Sequence, residues 1–184
     1  MIIDISPPLD ADIGLWPGDP HNTLHVGAHV DAPNHTLAGG GDITSWPLEI
    51  FVGRCNVIHV DIDRGERITP RHIEGKSIDA PRVLFRTNTF PDWHNWNDDF
   101  ASLSLDLIAA LKGVVLIGID TPSVDAFHSN DLEVHRALAA QRIASIEGVV
   151  LSDVGEGAYE LIALPLRIRD GDASPVRAVL RTLE

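Results

Sequence analysis

Six prolines in the first sixty residues, Pro7, Pro8, Pro17, Pro20, Pro33 and Pro47, exclude long helices from the early chain. Each fixes φ and lacks an amide donor, so it breaks an interior helical turn and a central strand alike. Short strands joined by turns are what remains, and residues 2–5 and 56–62 carry the apolar, β-branched pattern for them. Residues 82–87 offer a third strand. The later chain reads differently. Ser104 is a helix cap followed by Leu105, Leu107, Ile108 and Leu111, with Gly113 past the end. Residues 114–119 form an unbroken apolar run of strand length, as in a strand buried on both faces. Residues 131–140 predict a second helix capped by Ser129 or Asn130. Further strands are expected over 149–151, 159–169 and 176–180, with Pro165 breaking the second of these. Helix–strand alternation from 104 to 152 implies βαβ units, and the β-rich ends imply a second sheet. The expected fold class is α/β: one domain over residues 1–184, with a mixed or parallel sheet and a second, antiparallel sheet.

Charge narrows the partners. Fourteen Lys and Arg stand against 27 Asp and Glu, a formal net charge of −13. Such a chain repels phosphate backbones and anionic lipid, so neither nucleic acid nor a membrane surface is an expected partner. Apolar residues make up 44%, the share of an ordinary globular protein. No apolar run approaches the ~20 residues of a membrane helix, and the opening Met1-Ile2-Ile3-Asp4 is not a signal-peptide pattern. A cytoplasmic location is the expectation. Cys55 is the one cysteine, which excludes an intrachain disulfide and a multi-thiolate metal site. It reads as a small buried residue.

The segment His25-Val26-Gly27-Ala28-His29-Val30-Asp31-Ala32-Pro33-Asn34-His35 places four metal-competent side chains in eleven residues. In an extended chain His25, His29 and Asp31 share a face. A straight strand, however, would separate residues 25 and 29 by ~13 Å, too far for two imidazoles to meet at one ion. The chain must therefore curl, and Gly27 permits it. A polar face this dense is hard to bury without an ion. His135 and Glu147 are further donor candidates, and imidazole with carboxylate suits zinc, manganese or iron. No Gly-x-Ser-x-Gly elbow, H-E-x-x-H pair or full Gly-x-x-x-x-Gly-Lys-Ser/Thr phosphate loop occurs. Trp93 and Trp96, in an Asn/Asp-rich stretch, read as loop packing, with a place at a dimer interface as the alternative.

The eleven-residue string resembles the H-x-G-[TA]-H-x-D-x-P-x-H signature of the metal-dependent cyclase/hydrolase family, and is closest to its bacterial kynurenine formamidase branch. Ile3-Asp4-Ile5-Ser6-Pro7-Pro8-Leu9, Trp16-Pro17-Gly18-Asp19, Leu116-Ile117-Gly118-Ile119-Asp120-Thr121-Pro122-Ser123, residues 160–167 and residues 172–177 agree with that branch. The resemblance implies a two-zinc centre, with manganese as the alternative metal. His25, His29 and Asp31 would hold the first ion. Asp31 and Glu147 would bridge to the second, completed by His135. It further implies His35 as the acid/base residue and Trp16 as a wall of the substrate site. The implied reaction is hydrolysis of N-formyl-L-kynurenine to L-kynurenine and formate by a homodimer, with isatin-hydrolase-like and other amide or lactone hydrolases as the alternatives. Outside enzymes, a metal-dependent binding protein is the competing class. One departure stands out. Only five residues separate Asp19 from His25, fewer than the family pattern carries, and the register on both sides points to a loop missing from between them.

Overall fold

The computed structural model describes residues 1–20 and 22–183. The strands are β1 (Ile2–Asp4), β2 (His29–Asp31), β3 (Val52–His59), β4 (Arg67–Ile68), β5 (Arg82–Arg86), β6 (Ser102–Leu103), β7 (Leu116–Ile119), β8 (Ala144–Glu147), β9 (Gly157–Ile162), β10 (Ala173–Pro175) and β11 (Val179–Thr182). Two helices, α1 (Leu105–Ala110) and α2 (Glu133–Ala140), flank β7 in sequence. Nine strands make one mixed sheet in the order β1-β11-β9-β3-β5-β7-β8-β2-β10. Its centre, β3-β5-β7-β8, is parallel, and both flanks are antiparallel. The parallel and antiparallel parts expected from the sequence are thus both present, joined edge to edge. Strands β4 and β6 form a small parallel sheet beside it.

The central strands are buried on both sides because their side chains alternate between two cores. Leu84, Leu116 and Ile146 point into one core with Phe51, Val57 and Leu161. Val83, Phe85, Ile117 and Ile119 point into the other, which Leu107 and Ile108 of α1 and Val134 and Leu138 of α2 cover. Each such fully buried aliphatic or aromatic side chain contributes about 1.5–3 kcal/mol of transfer free energy. Cys55 is among the fully buried residues, and burial pushes its thiol up to about 12, so it is inert as a nucleophile.

Helix α1 begins as the sequence predicts: the Ser104 hydroxyl accepts the Leu107 amide. Helix α2 does not. Neither Ser129 nor Asn130 caps it. The residue before it, Leu132, is left-handed at φ 47° and offers no capping side chain. The Asp125 carboxylate, from the preceding loop, instead accepts the Val134 and His135 amides at 3.1 and 3.0 Å. The expected strand over 149–151 is displaced as well. The pairing segment is β8, and the chain leaves the sheet at Gly148 with φ +71°, so Val149 and Leu151 pack in the core without belonging to a strand. Strand β9 ends at Ile162, short of Pro165. Strand β3 begins at Val52, earlier than expected.

Candidate metal centre

Strand β2 lies between β8 and β10. His29 pairs with Glu147 and Val30 with Ile146, while Asp31 pairs with Ala173. Residues directly opposite across a ladder project to the same face, as do residues two apart on one strand. His29, Asp31 and Glu147 are therefore delivered to one side by sheet register alone. Helix α2 adds His135 from its first turn. His25 joins because the chain curls at Gly27, whose φ is +56°. Gly27 and Gly148 pass so closely that a Cβ at 148 would fall 2.1 Å from the Gly27 carbonyl oxygen. The bend expected from the sequence is real, and it also fixes how tightly the two ligand-bearing segments approach.

The resulting arrangement is bipartite. Asp31 Oδ1 lies 3.1 Å from His25 Nδ1 and 3.7 Å from His29 Nε2. Asp31 Oδ2 lies 3.2 Å from His135 Nε2. Glu147 divides its oxygens the same way, Oε2 at 3.3 Å from His29 Nε2 and Oε1 at 3.0 Å from His135 Nε2. Donor atoms of His25, His29 and Asp31 lie within 4.8 Å of one another, and so do those of Asp31, His135 and Glu147. The three histidine rings are also held from behind. His29 Nδ1 donates to the Gly27 carbonyl at 2.9 Å, His135 Nδ1 to Asp125 at 2.7 Å, and His25 Nε2 to Asp172 at 3.3 Å. An imidazole so tied presents its other nitrogen's lone pair inward, which is how metal-ligating histidines are oriented.

A divalent ion fits this donor set. His29 Nε2 and Asp31 Oδ1 are buried without any hydrogen-bond partner, and such atoms are costly unless something completes them. Electrostatics agrees. Burial opposes charging the His25 ring, yet Asp31 and Asp172 raise it to about 9. His29 and His135 are raised against burial by the neighbouring carboxylates. Asp31 is held well below its usual range, burial notwithstanding, by His135, His25 and His29. The cluster wants positive charge.

The centre opens into a cavity of about 730 Å³ lined by His25, His29, His35, His135 and Glu147 on one side and Trp16, Trp93, Trp96 and Phe127 on another. The loops that follow β5 and β7 supply Trp93, Trp96 and Phe127, so the cavity sits at the carboxyl ends of the parallel strands, where α/β sheets place their ligands. Trp16 packs on Phe127 with ring centroids 4.9 Å apart and meets Trp96 edge-on at 5.5 Å. His35 stands beside His25, centroids 4.4 Å apart, and 5.5 Å from His135. All seven residues singled out from the sequence are thus brought together. The segment between Asp19 and His25 is short rather than interrupted. Among its described residues, Asp19 N donates to Trp16 O, Thr23 N to Pro20 O, Thr23 Oγ1 to Asp19 and His25 N to Thr23 Oγ1. Trp93 and Trp96 line the cavity as well as packing with Phe90. Asp125 and Phe127 carried no sequence signal, and Asp172 stood only as the first residue of the family-like string 172–177 with no role attached, since only the fold brings them to the centre.

Known proteins share this architecture. A potential metal-dependent hydrolase with cyclase activity matches with a TM-score of 0.89 at 26% identity, over 98% of this chain and 96% of its own. A predicted metal-dependent hydrolase from Bacillus stearothermophilus matches at 0.79 and 25%, over 98% and 97%. An isatin hydrolase bound to the product analogue thioisatinate shares the fold at 0.81 and 20% identity, over 100% and 92%. The sequence model of the Cyclase family matches residues 3–126, more than half of the chain. The protein belongs to the Cyclase family.

Proposed function

We propose that this protein is a metal-dependent hydrolase that cleaves N-formyl-L-kynurenine to L-kynurenine and formate, as one domain spanning residues 1–184. The observation that carries the reading is the union of a five-donor centre with an aromatic-walled cavity, one for a hydrolytic metal and the other for an aryl amide. Two zinc ions would be held by His25, His29 and Asp31 and by Asp31, His135 and Glu147, with Glu147 reaching both positions. When bound, zinc supplies Lewis-acid charge at the formyl oxygen and acidifies a water for attack.

The remaining work falls to the chain. Trp16 and Phe127 stack the aryl ring and exclude water beside the scissile amide. His35 lines the cavity without belonging to the five-donor set, and would pass a proton to the departing aniline nitrogen. Among the described residues no Lys or Arg lines the cavity, whereas the Asp19 carboxylate does, which suits the substrate's ammonium group and gives its carboxylate no cationic side chain. A homodimer accompanies this reading on the family resemblance alone, and a cytoplasmic location on the sequence patterning.

The test is hydrolysis of N-formyl-L-kynurenine, followed by absorbance, before and after chelation and with zinc or manganese restored. Chelator-sensitive turnover is expected. Isatin run in parallel distinguishes the competing reading, which the fold of the isatin hydrolases favours: faster turnover of isatin would displace the formamidase assignment.

A further inference from the structure

The Asp172 carboxylate is shared by two imidazoles. Its Oδ2 lies 3.3 Å from His25 Nε2 and 3.5 Å from His35 Nδ1. The residue is fixed by its backbone rather than by its side chain. Its carbonyl accepts the Ala32 amide at 2.8 Å, and Gly171 O accepts the Ile43 amide at 2.9 Å. Asp170, left-handed at φ 61°, donates its amide to Asp42. The turn before β10 is thus pinned on both sides, and Ala173 continues directly into register with Asp31. A carboxylate mounted this way is a stationary post against which flexible rings settle.

We infer that Asp172 is a positioning residue that sets the tautomers of His25 and His35 together, readying the first for metal and the second for proton transfer. A carboxylate oxygen has lone pairs for two donors. With Nε2–H of His25 directed at Asp172, the His25 Nδ1 lone pair faces Asp31 and the centre. With Nδ1–H of His35 directed at the same oxygen, Nε2 of His35 is the basic nitrogen. A neutral histidine in water prefers the opposite form, with the proton on Nε2, so the His35 arrangement requires an acceptor at Nδ1. The roles of His25 and His35 rest on the proposed function; the tautomer assignment does not.

The experiment compares the wild type with Asp172→Asn and Asp172→Ala, the near-isosteric Asn variant serving if the Ala variant does not fold. Zinc affinity is measured by chelator competition, ring tautomers by ¹⁵N–¹H correlation of the histidines, and kcat and KM with N-formyl-L-kynurenine. The expected result in D172A is a 10–100-fold loss of zinc affinity, a shift of the His35 proton from Nδ1 to Nε2, and a kcat reduced about 10–100-fold with KM within threefold. D172N, which keeps one acceptor oxygen, falls between. Wild-type zinc affinity with an unchanged His35 tautomer in D172A overturns the inference. A wild type that does not turn over the substrate refutes the proposed function alone, because the affinity and tautomer measurements still decide Asp172.

Discussion

The two sides of the cavity are built on opposite plans. Four of the five donors ride on regular structure: His29 and Asp31 on β2, Glu147 on β8, His135 in the first turn of α2. Their backbones are committed to ladders or to the Asp125 cap. The aromatic wall is carried by connections instead. Trp16 sits in the long segment before β2, Trp93 and Trp96 in the one after β5, and Phe127 in the one after β7. Between the first two connections, the backbone tie is Gly14 N to Trp93 O at 2.6 Å, with the Asp10–His94 pair beside it. Chemistry needs geometry held to a fraction of an ångström, which ladders give, whereas recognition tolerates and exploits loops. Substitutions on the two sides should therefore fail in different ways.

The donor side should fail hardest. Asp31→Asn removes the carboxylate placed between both halves of the centre and should reduce bound metal, from the two ions proposed above to one or none. The loss of several kcal/mol of transition-state stabilisation corresponds to a rate loss on the order of 10³-fold or more. Metal analysis and turnover of one preparation check it together, and a D31N protein with two ions per chain breaks the distinction drawn above. His35→Ala tests the boundary between the sides. It should keep full metal content and lose turnover by about 10²–10⁴-fold; loss of metal with turnover would make His35 a ligand.

The wall should fail softly. Trp16→Ala removes the contacts with Phe127 and Trp96 and about 0.5–1.5 kcal/mol of ring packing on the substrate, which is up to about tenfold in affinity. KM should rise by that factor while metal content and kcat change little. A collapse of metal binding in W16A would show that the wall supports the centre and that the two sides are one unit.

The same division governs what could be read from the sequence. Residues 25–35 announced themselves because ligands, glycine and proline stand in one contiguous string, and local physics alone demanded the bend at Gly27. The aromatic wall and the two carboxylates behind the rings, Asp125 and Asp172, did not do so by their own chemistry: Trp16 and the string that begins at Asp172 were marked by the family resemblance alone, and Trp93, Trp96, Phe127 and Asp125 were not marked as site residues at all. Each lies in a loop whose direction is set by the sheet, and nothing in a loop's own residues states which cavity it will face. Strand β8 was misplaced for a related reason. Its Ser145 and Glu147 make it look polar because they serve the centre, while the more apolar Val149-Val150-Leu151 beyond it satisfies the strand pattern without pairing. The cap of α2 followed suit: a long-range carboxylate took the place of a local serine or asparagine. Function and tertiary contact overrode local propensity at the points where the two met.

The smallest effect expected is in the metal-free protein's dependence on pH, and it isolates the donor side from the wall. The His25 ring has a folded pKa of about 9 against an ordinary 6.5; burial opposes this shift, but the neighbouring carboxylates outweigh it. A raised pKa contributes stability that is full below pH 6.5 and is lost as pH climbs through about 9. His135 is raised well above its ordinary value in the same direction by the Glu147, Asp125 and Asp31 carboxylates, so its contribution is likewise lost as pH rises. Asp31, held low, contributes in the other sense: present above 3.8 and lost as pH falls through its depressed value. The metal-free melting temperature should therefore decline from pH 6.5 to 9, by about 2–4 °C for each kcal/mol forfeited. Metal needs these rings neutral, so loading at pH 7 should release protons, and zinc affinity should increase with pH over the same interval. Calorimetric titration in buffers of differing ionisation enthalpy counts those protons directly. W16A should release as many as the wild type and D31N fewer. Equal release from both variants would mean that the charge stored in the centre is not held by the carboxylates that face it.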